Sequence, residues 1–240
     1  MKIANSTILV TGANRGIGLA LVEKALEKGA AKVYATYRSE SNRSTLEALG
    51  ERVVPIHLDL SNQATIADLS QSVPSLDILI NNAGIFTAAD VLENTGEQLR
   101  NDVETNFFGT LSVTKAVLPA LKKAGSGAIA NISSIAGLAA MPSFGGYSAS
   151  KAALHSLTQS IRGKLKANGI SVHGAYPGPV ATRMTEGMQM DTTPAPVVAD
   201  NILTNIENGV EEIFPDGMSQ QVGPLFFTSP KQLEQNFAAF

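Results

Sequence analysis

The chain has 240 residues, 44% hydrophobic and 16% charged, with 18 Lys and Arg against 21 Asp and Glu for a formal charge of -3. This is enough apolar material for one large core and excludes bulk disorder, while the lack of any Lys or Arg run argues against nucleic acid or an anionic membrane as the main partner. Zero cysteines exclude a disulfide scaffold, a thiolate metal site and a cysteine nucleophile together.

The three histidines, His57, His155 and His173, are scattered without ligand-like spacing, so no metal site is expected. Residues 1–6 lack the apolar stretch of a signal peptide, and no apolar run approaches the ~18 residues a membrane span needs. A soluble, cytoplasmic single domain over residues 1–240 is the expectation.

In chain order, short β-branched runs alternate with segments of helical period, which is the pattern of βαβ units around a parallel sheet. The runs are residues 7–10, 32–36, 53–58, 76–80, 127–132, 170–175 and, more weakly, 211–214. They predict an α/β fold with a doubly wound parallel sheet of about seven strands (a Rossmann fold).

A first helix over residues 17–28 should stop at Gly29, which tolerates a left-handed C-cap. Ser44 with Glu47, and Thr95 with Gln98, have capping-box spacing. Pro55 cannot donate to a ladder, so the third strand belongs at the sheet edge, where the order 3-2-1-4-5-6 puts it. Leu99, Val103, Phe107 and Leu111 predict a core-facing stripe on one helix over residues 99–121; Leu154, Leu157, Ile161 and Leu165 predict another. Residues 183–197, rich in Met, Thr and Pro, read as a mobile substrate loop reaching to about residue 200, and a polar tail closes the chain.

The first strand runs straight into Thr11-Gly12-Ala13-Asn14-Arg15-Gly16-Ile17-Gly18 and a helix. Glycines there allow a tight turn and let backbone N–H groups and the helix N-terminus approach a diphosphate. The spacing G-x-x-x-G-x-G is not the Walker pattern, which disfavours a P-loop NTPase. At the end of the second strand an acid would accept from a free ribose 2′-hydroxyl, whereas an arginine suits a 2′-phosphate. This strand ends in Tyr37-Arg38, with Arg15 in the glycine turn, so NADP(H) is preferred; Glu40 would favour NAD(H) if it ended the strand instead.

Tyr147 and Lys151 lie four apart near a helix start, on one face. A neighbouring ammonium favours the phenolate, although lowering a phenol from ~10 to neutral pH takes about 4 kcal/mol, more than one exposed pair supplies; burial of the pair against an oxidised nicotinamide would supply the remainder. Asn131-Ile132-Ser133-Ser134 and Asn81-Asn82-Ala83-Gly84 end two strands on the carboxyl edge of the sheet, where ligands bind. Asn106 sits inside an apolar helix, where an amide needs its hydrogen bonds used.

Together and in this order, these residues, with Asp59-Leu60 and Pro177-Gly178-Pro179-Val180-Ala181-Thr182, resemble the short-chain dehydrogenase/reductase family in its short single-domain branch, over roughly residues 7–182. The resemblance implies Tyr147 as general acid/base, Ser134 polarising a substrate carbonyl, Lys151 holding the nicotinamide ribose and tuning Tyr147, and Asn106 anchoring a water. It also implies a cofactor held by Gly12, Asn14, Arg15, Gly16, Ile17, Gly18, Tyr37 and Arg38, by Asp59 and Leu60 at the adenine, by Asn82, Ala83 and Gly84, and by Pro177, Val180 and Thr182 at the carboxamide. Strand alternation and the family's spacing select Ser134 over Ser133, and the motif places no chemistry on His155.

The expected reaction is hydride transfer between NADP(H) and a carbonyl or alcohol; a silent nucleotide sensor, or an isomerase or dehydratase on the same scaffold, stays open. Phe86, residues 136–144 and residues 184–190 are candidate pocket walls for an uncharged, apolar ketone or aldehyde. The helices bearing Asn106 and Tyr147 form a dimer face in the family, which implies a homodimer. The family's V-D-G-G-type ending is replaced by Pro215-Asp216-Gly217, which leaves a tetramer open.

Overall fold

The computed structural model describes residues 1–88, 90–93 and 95–238. β1 (Thr7–Val10) passes through the glycine turn into α1 (Gly16–Glu27), and Gly29 follows at φ +84, the left-handed stop that the sequence announced. β2 (Lys32–Tyr37) extends one residue past the expected end, so Tyr37 and not Glu40 closes the strand. The Ser44/Glu47 capping box does not form: α2 (Arg43–Glu47) is capped by Asn42 without a side-chain bond, and Glu47 pairs with Arg43 Nε at 2.8 Å. An arginine four residues earlier on the same face takes the carboxylate first.

β3 (Val53–His57) contains Pro55 and lies at the sheet edge, as proline requires. After α3 (Gln63–Ser72) comes β4 (Ile78–Asn81), then α4 (Gly96–Val103), whose Thr95/Gln98 capping box does form, with Gln98 Oε1 accepting from Thr95 N at 3.3 Å.

The single helix expected over residues 99–121 is broken. A π-helical segment (Glu104–Gly109) separates α4 from α5 (Thr110–Lys123). Nor does the predicted stripe face the core: Leu99, Val103, Phe107 and Leu111 are only half-buried, while Asp102, Asn106 and Thr110 occupy the buried side. Apolar spacing cannot tell a core face from a surface left for something else, and here polar groups with hydrogen-bonding partners took the interior.

β5 (Gly127–Ile132) leads to α6 (Gly145–Leu165), which carries Leu154 and Leu165 into the core, and then to β6 (Ile170–Ala175). The stretch read as a loop is shorter than expected: β7 (Val180–Ala181) pairs with β8 (Thr193–Pro194), and α7 (Ala195–Glu207) already begins at Ala195, with proline in its first turn. β9 (Glu212–Ile213) completes the sheet. The tail read as polar is instead α8 (Gly217–Val222), α9 (Leu225–Thr228) and α10 (Pro230–Phe237), with Leu233 and Phe237 buried.

Among the described residues the main sheet has seven strands, all parallel, in the order β3-β2-β1-β4-β5-β6-β9. Its fully buried strands read as continuous apolar runs because helices cover both faces. α1 and α7 pack on one face around Ile8, Val10 and Ile202, and the other face holds Leu9, Leu79, Val113 and Ile129. A third cluster joins Ile135, Met141 and Tyr176 to the C-terminal Leu233 and Phe237, with Tyr147 packed against it. No helix among the described residues is long and apolar enough to cross a membrane.

Candidate active site

The order reverses between β1 and β4, which leave the strand ends diverging around a crevice. On its β1 side the glycine turn is braced from both neighbours. Gly12 N donates to Thr36 Oγ1 at 3.0 Å and Ala13 N to Thr36 O at 2.7 Å. Asn82 Nδ2 donates to Thr11 O and Gly12 O at 2.9 and 3.1 Å, and Ala83 N donates to Thr11 Oγ1 at 3.0 Å. Gly18 could not be any other residue: a Cβ there would lie 2.2 Å from Gly12 O. The structure thus brings Gly12, Asn14, Gly16, Ile17 and Gly18 together with Asn82 and Ala83, and Thr36 joins them as a brace that the motif reading missed.

The same edge gathers cations. Arg15 is exposed, and its pKa is lowered by partial burial and then by the charges of Arg183 and Arg38. None of these three arginines forms an ion pair among the described residues. Arg183 was read only as the start of the mobile loop; it arrives here because Thr182 Cγ2 lies about 3.1 Å from where a Gly16 Cβ would sit. An unneutralised triad of guanidiniums beside a helix N-terminus fits a phosphate-bearing dinucleotide.

Tyr37 is buried in the core rather than open to the crevice, with its hydroxyl donating to Glu40 Oε1 at 3.1 Å. Burial first, then Glu40, push its phenol upward. Burial opposes ionisation of Asp59, but two hydrogen bonds from Ser61 and the charge of Arg38 hold its carboxyl below the ordinary value. Leu60 packs beside it, largely buried.

On the other side of the crevice stands a wall built from β5, α6 and the loop after β4. Ser133 faces away, as alternation requires, donating to Lys151 O at 3.1 Å. Ser134 accepts from Ala136 N at 3.1 Å and lies 3.5 Å from Pro177 O, to which Ile135 N also donates. Lys151 is 5% exposed, its Nζ donates to Ile132 O at 2.9 Å, and it stands 5.6 Å from the Tyr147 ring centre. A Cβ on Gly84 would sit 3.5 Å from that Nζ, so the two sides of the crevice meet there.

The lowering expected of the Tyr147 phenol required a bound oxidised nicotinamide beside the pair; the protein's own groups shift it the other way. Burial pushes Tyr147 up to about 12, the Ser134 side chain works against this, and the charge of Asp102 adds to it. Burial likewise pushes Lys151 down to about 8, partly offset by Asp102. Burial is the largest cause for both groups, and the Lys151 ammonium is turned to the Ile132 carbonyl.

Asn106, inside the π segment, is fully buried, and both amide hydrogens are taken by Ile85 O (3.0 Å) and Ser150 Oγ (2.9 Å). His155 is turned away from this wall, its Nδ1 2.6 Å from Tyr176 Oη and its ring edge-on to Phe226. Val180 is buried, and Thr182 Oγ1 accepts from Met184 N at 3.3 Å. Of the candidate pocket walls, Phe86 lies edge-on to Tyr147, Met141 is buried, and Met184 is exposed.

The short chain dehydrogenase family model matches residues 6–193. The chain belongs to the short-chain dehydrogenase family. A sorbitol dehydrogenase of Cereibacter sphaeroides is 37% identical over 193 residues, covering 78% of this chain and 75% of that protein. A 3-alpha-(or 20-beta)-hydroxysteroid dehydrogenase of Mycobacterium tuberculosis is 31% identical, over 79% of this chain and 75% of its own. A short chain dehydrogenase from Burkholderia cenocepacia, solved in complex with NADP, superposes with a TM-score of 0.92 at 35% identity and covers 99% of both chains. This short-chain dehydrogenase is therefore an oxidoreductase with a nicotinamide-cofactor fold, and the α8–α10 segment that sequence reading left as tail lies within the part that superposes.

Proposed function

We propose that this short-chain dehydrogenase transfers a hydride between NADP(H) and an uncharged, apolar carbonyl or alcohol. The observation that carries the reading is the placement of Ser134, Tyr147 and Lys151 on one wall, Lys151 buried and the other two half-buried, joined through Gly84 to the braced glycine turn. Arg15, Arg38 and Arg183 would hold a 2′-phosphate or diphosphate, the bound Burkholderia relative being the precedent for NADP. Tyr37 closing β2, with Glu40 engaged by the Tyr37 hydroxyl, favours the same choice over NAD(H). Asp59 and Leu60 would border the adenine, and Pro177, Val180 and Thr182 the carboxamide. When bound, NADPH supplies the hydride and its oxidised form accepts one.

Ser134 donates a hydrogen bond to the carbonyl oxygen. Tyr147 then gives that oxygen its phenolic proton, and with a pKa near 12 it begins in the protonated state that an acid needs at neutral pH. The Lys151 ammonium steadies the tyrosinate left behind. Phe86, Phe144 and Met141 line the space beside Tyr147 and suit an apolar substrate.

Tyr147→Phe tests the assignment: NADPH binding, followed by fluorescence, should persist while turnover across a ketone and aldehyde panel falls by roughly a thousandfold or more. Retained turnover would remove Tyr147 as the acid/base. The active species is a homodimer, a reading supported by the half-buried stripe Leu99, Val103, Phe107 and Leu111 and by Phe108 at 47% exposure. Sedimentation at micromolar concentration should give two chains per particle; a monomer would overturn this.

A further inference from the structure

Two polar side chains on the buried face leading into the π segment grip the backbone on either side of Phe86. Asp102 is 0% exposed; its Oδ1 accepts from Thr87 N at 3.2 Å and its Oδ2 from the Thr87 hydroxyl at 2.7 Å. Four residues on, Asn106 Oδ1 accepts from Ile85 N at 2.8 Å while its Nδ2 donates to Ile85 O at 3.0 Å. Residues 85–87 belong to no helix or strand, so these side chains supply hydrogen bonds that secondary structure does not.

Phe86, held between the two grips, stands edge-on to Tyr147 with ring centres 5.1 Å apart at 86°, and also meets Phe144 at 5.3 Å. We propose that Asp102 is a positioning residue of the reaction wall: through Thr87, and jointly with Asn106 through Ile85, it fixes Phe86 against Tyr147 and sets the charge around the buried Lys151. The inference rests on the hydride-transfer reading of this site.

A carboxylate withdrawn from water is costly unless hydrogen-bonded or paired, so a fold needing only a clamp would be served by a neutral side chain. The groups acting on Asp102 are Thr87, through two hydrogen bonds, and Lys151, through charge; both oppose the upward push of burial. Asp102 in turn is the charged group that acts on Lys151 and, beside Ser134, on Tyr147. α4 therefore delivers a negative charge to a wall whose other members come from β5 and α6.

Asp102→Asn keeps the shape and removes the charge; Thr87→Val keeps the charge and removes the hydroxyl grip. With tyrosine labelled at the ring carbon bearing oxygen, the Tyr147 signal is assigned by its absence in Tyr147→Phe and titrated by NMR. In Asp102→Asn its midpoint should move down, since a negative neighbour has gone, and kcat should change several-fold with the altered charge around Lys151 and Tyr147, with the NADPH Kd within about twofold of the parent.

Thr87→Val should lower kcat several-fold at unchanged NADPH Kd. It carries the test alone should Asp102→Asn fail to fold. An unmoved Tyr147 midpoint with unchanged kcat in Asp102→Asn, or wild-type kcat in Thr87→Val, overturns the inference. So does a fall in kcat matched by equal loss of NADPH binding, which would mark a merely structural residue. If the parent protein reduces no carbonyl at all, the hydride reading fails by itself, and the NMR midpoint still decides whether Asp102 acts on Tyr147.

Discussion

At the glycine-rich edge three arginines stand exposed with no ion pair among the described residues, whereas across the crevice Lys151 and Asp102 are almost wholly withdrawn from water. The first arrangement costs the fold little, because the three cations stay hydrated and the repulsion that Arg183 and Arg38 exert on Arg15 is screened by water and salt. The second places ionisable groups where desolvation decides their state, moving Lys151 down and Tyr147 up. On the proposed reading the first region attracts an anion from solution and the second holds and releases a proton, and the difference in burial is the observation that supports it.

The contrast breaks most easily at Lys151. Its pKa of about 8 in the fold lies below the 10.5 of the free side chain, so between these values the unfolded chain binds more protons and stability rises with pH. The gain should approach about 3 kcal/mol by the top of that window. It is absent below pH 8, where both states are protonated and the burial cost stands in full. Denaturant melts from pH 7 to 10 should show the rise in the parent and lose it in Lys151→Met; parallel curves would mean that the amine is solvated.

The smaller effect is expected at the exposed edge. Arg15→Ala with Arg38→Ala should weaken NADPH roughly ten- to a hundredfold, leave NADH within a few-fold, and flatten the salt dependence of NADPH binding. Equal losses for both dinucleotides in a titration at two ionic strengths would move these arginines from the 2′-position to the diphosphate.

Strand order, the edge position of Pro55 and the glycine turn were legible because each rests on a local rule: β-branched runs, a missing N–H, backbone that must approach another backbone. The approach of Tyr147 to Lys151 was legible as helical spacing, but the direction of the phenol's shift was not, since that depends on water excluded by distant chain. Asp102 was invisible for a related reason. In Leu99-Arg100-Asn101-Asp102 it reads as part of a solvated face, and only the fold brings Thr87 within reach of it. The C-terminal helices were misread because Leu233 and Phe237 are isolated among polar neighbours, and their burial against Tyr176 is a tertiary fact. Ser44 shows the opposite error: the spacing was right, and a nearer arginine claimed the acid.

The π segment at residues 104–109 has a consequence for how this chain can vary. A regular helix turns about 100° per residue, and a π-bulge holds one residue more than a regular turn would. Deleting a single residue there would let α4 and α5 run on as one regular helix with their buried faces still nearly in line, because the widened turn has already absorbed the rotation of about 100° that an extra residue brings. Asp102 and Thr110 lie outside the segment and would keep their faces, whereas Asn106 lies within it and would shift against Ile85. The widened turn is thus fitted to Asn106, and a one-residue deletion within the six-residue interval 104–109 should disturb the faces of α4 and α5 far less than one elsewhere in either helix.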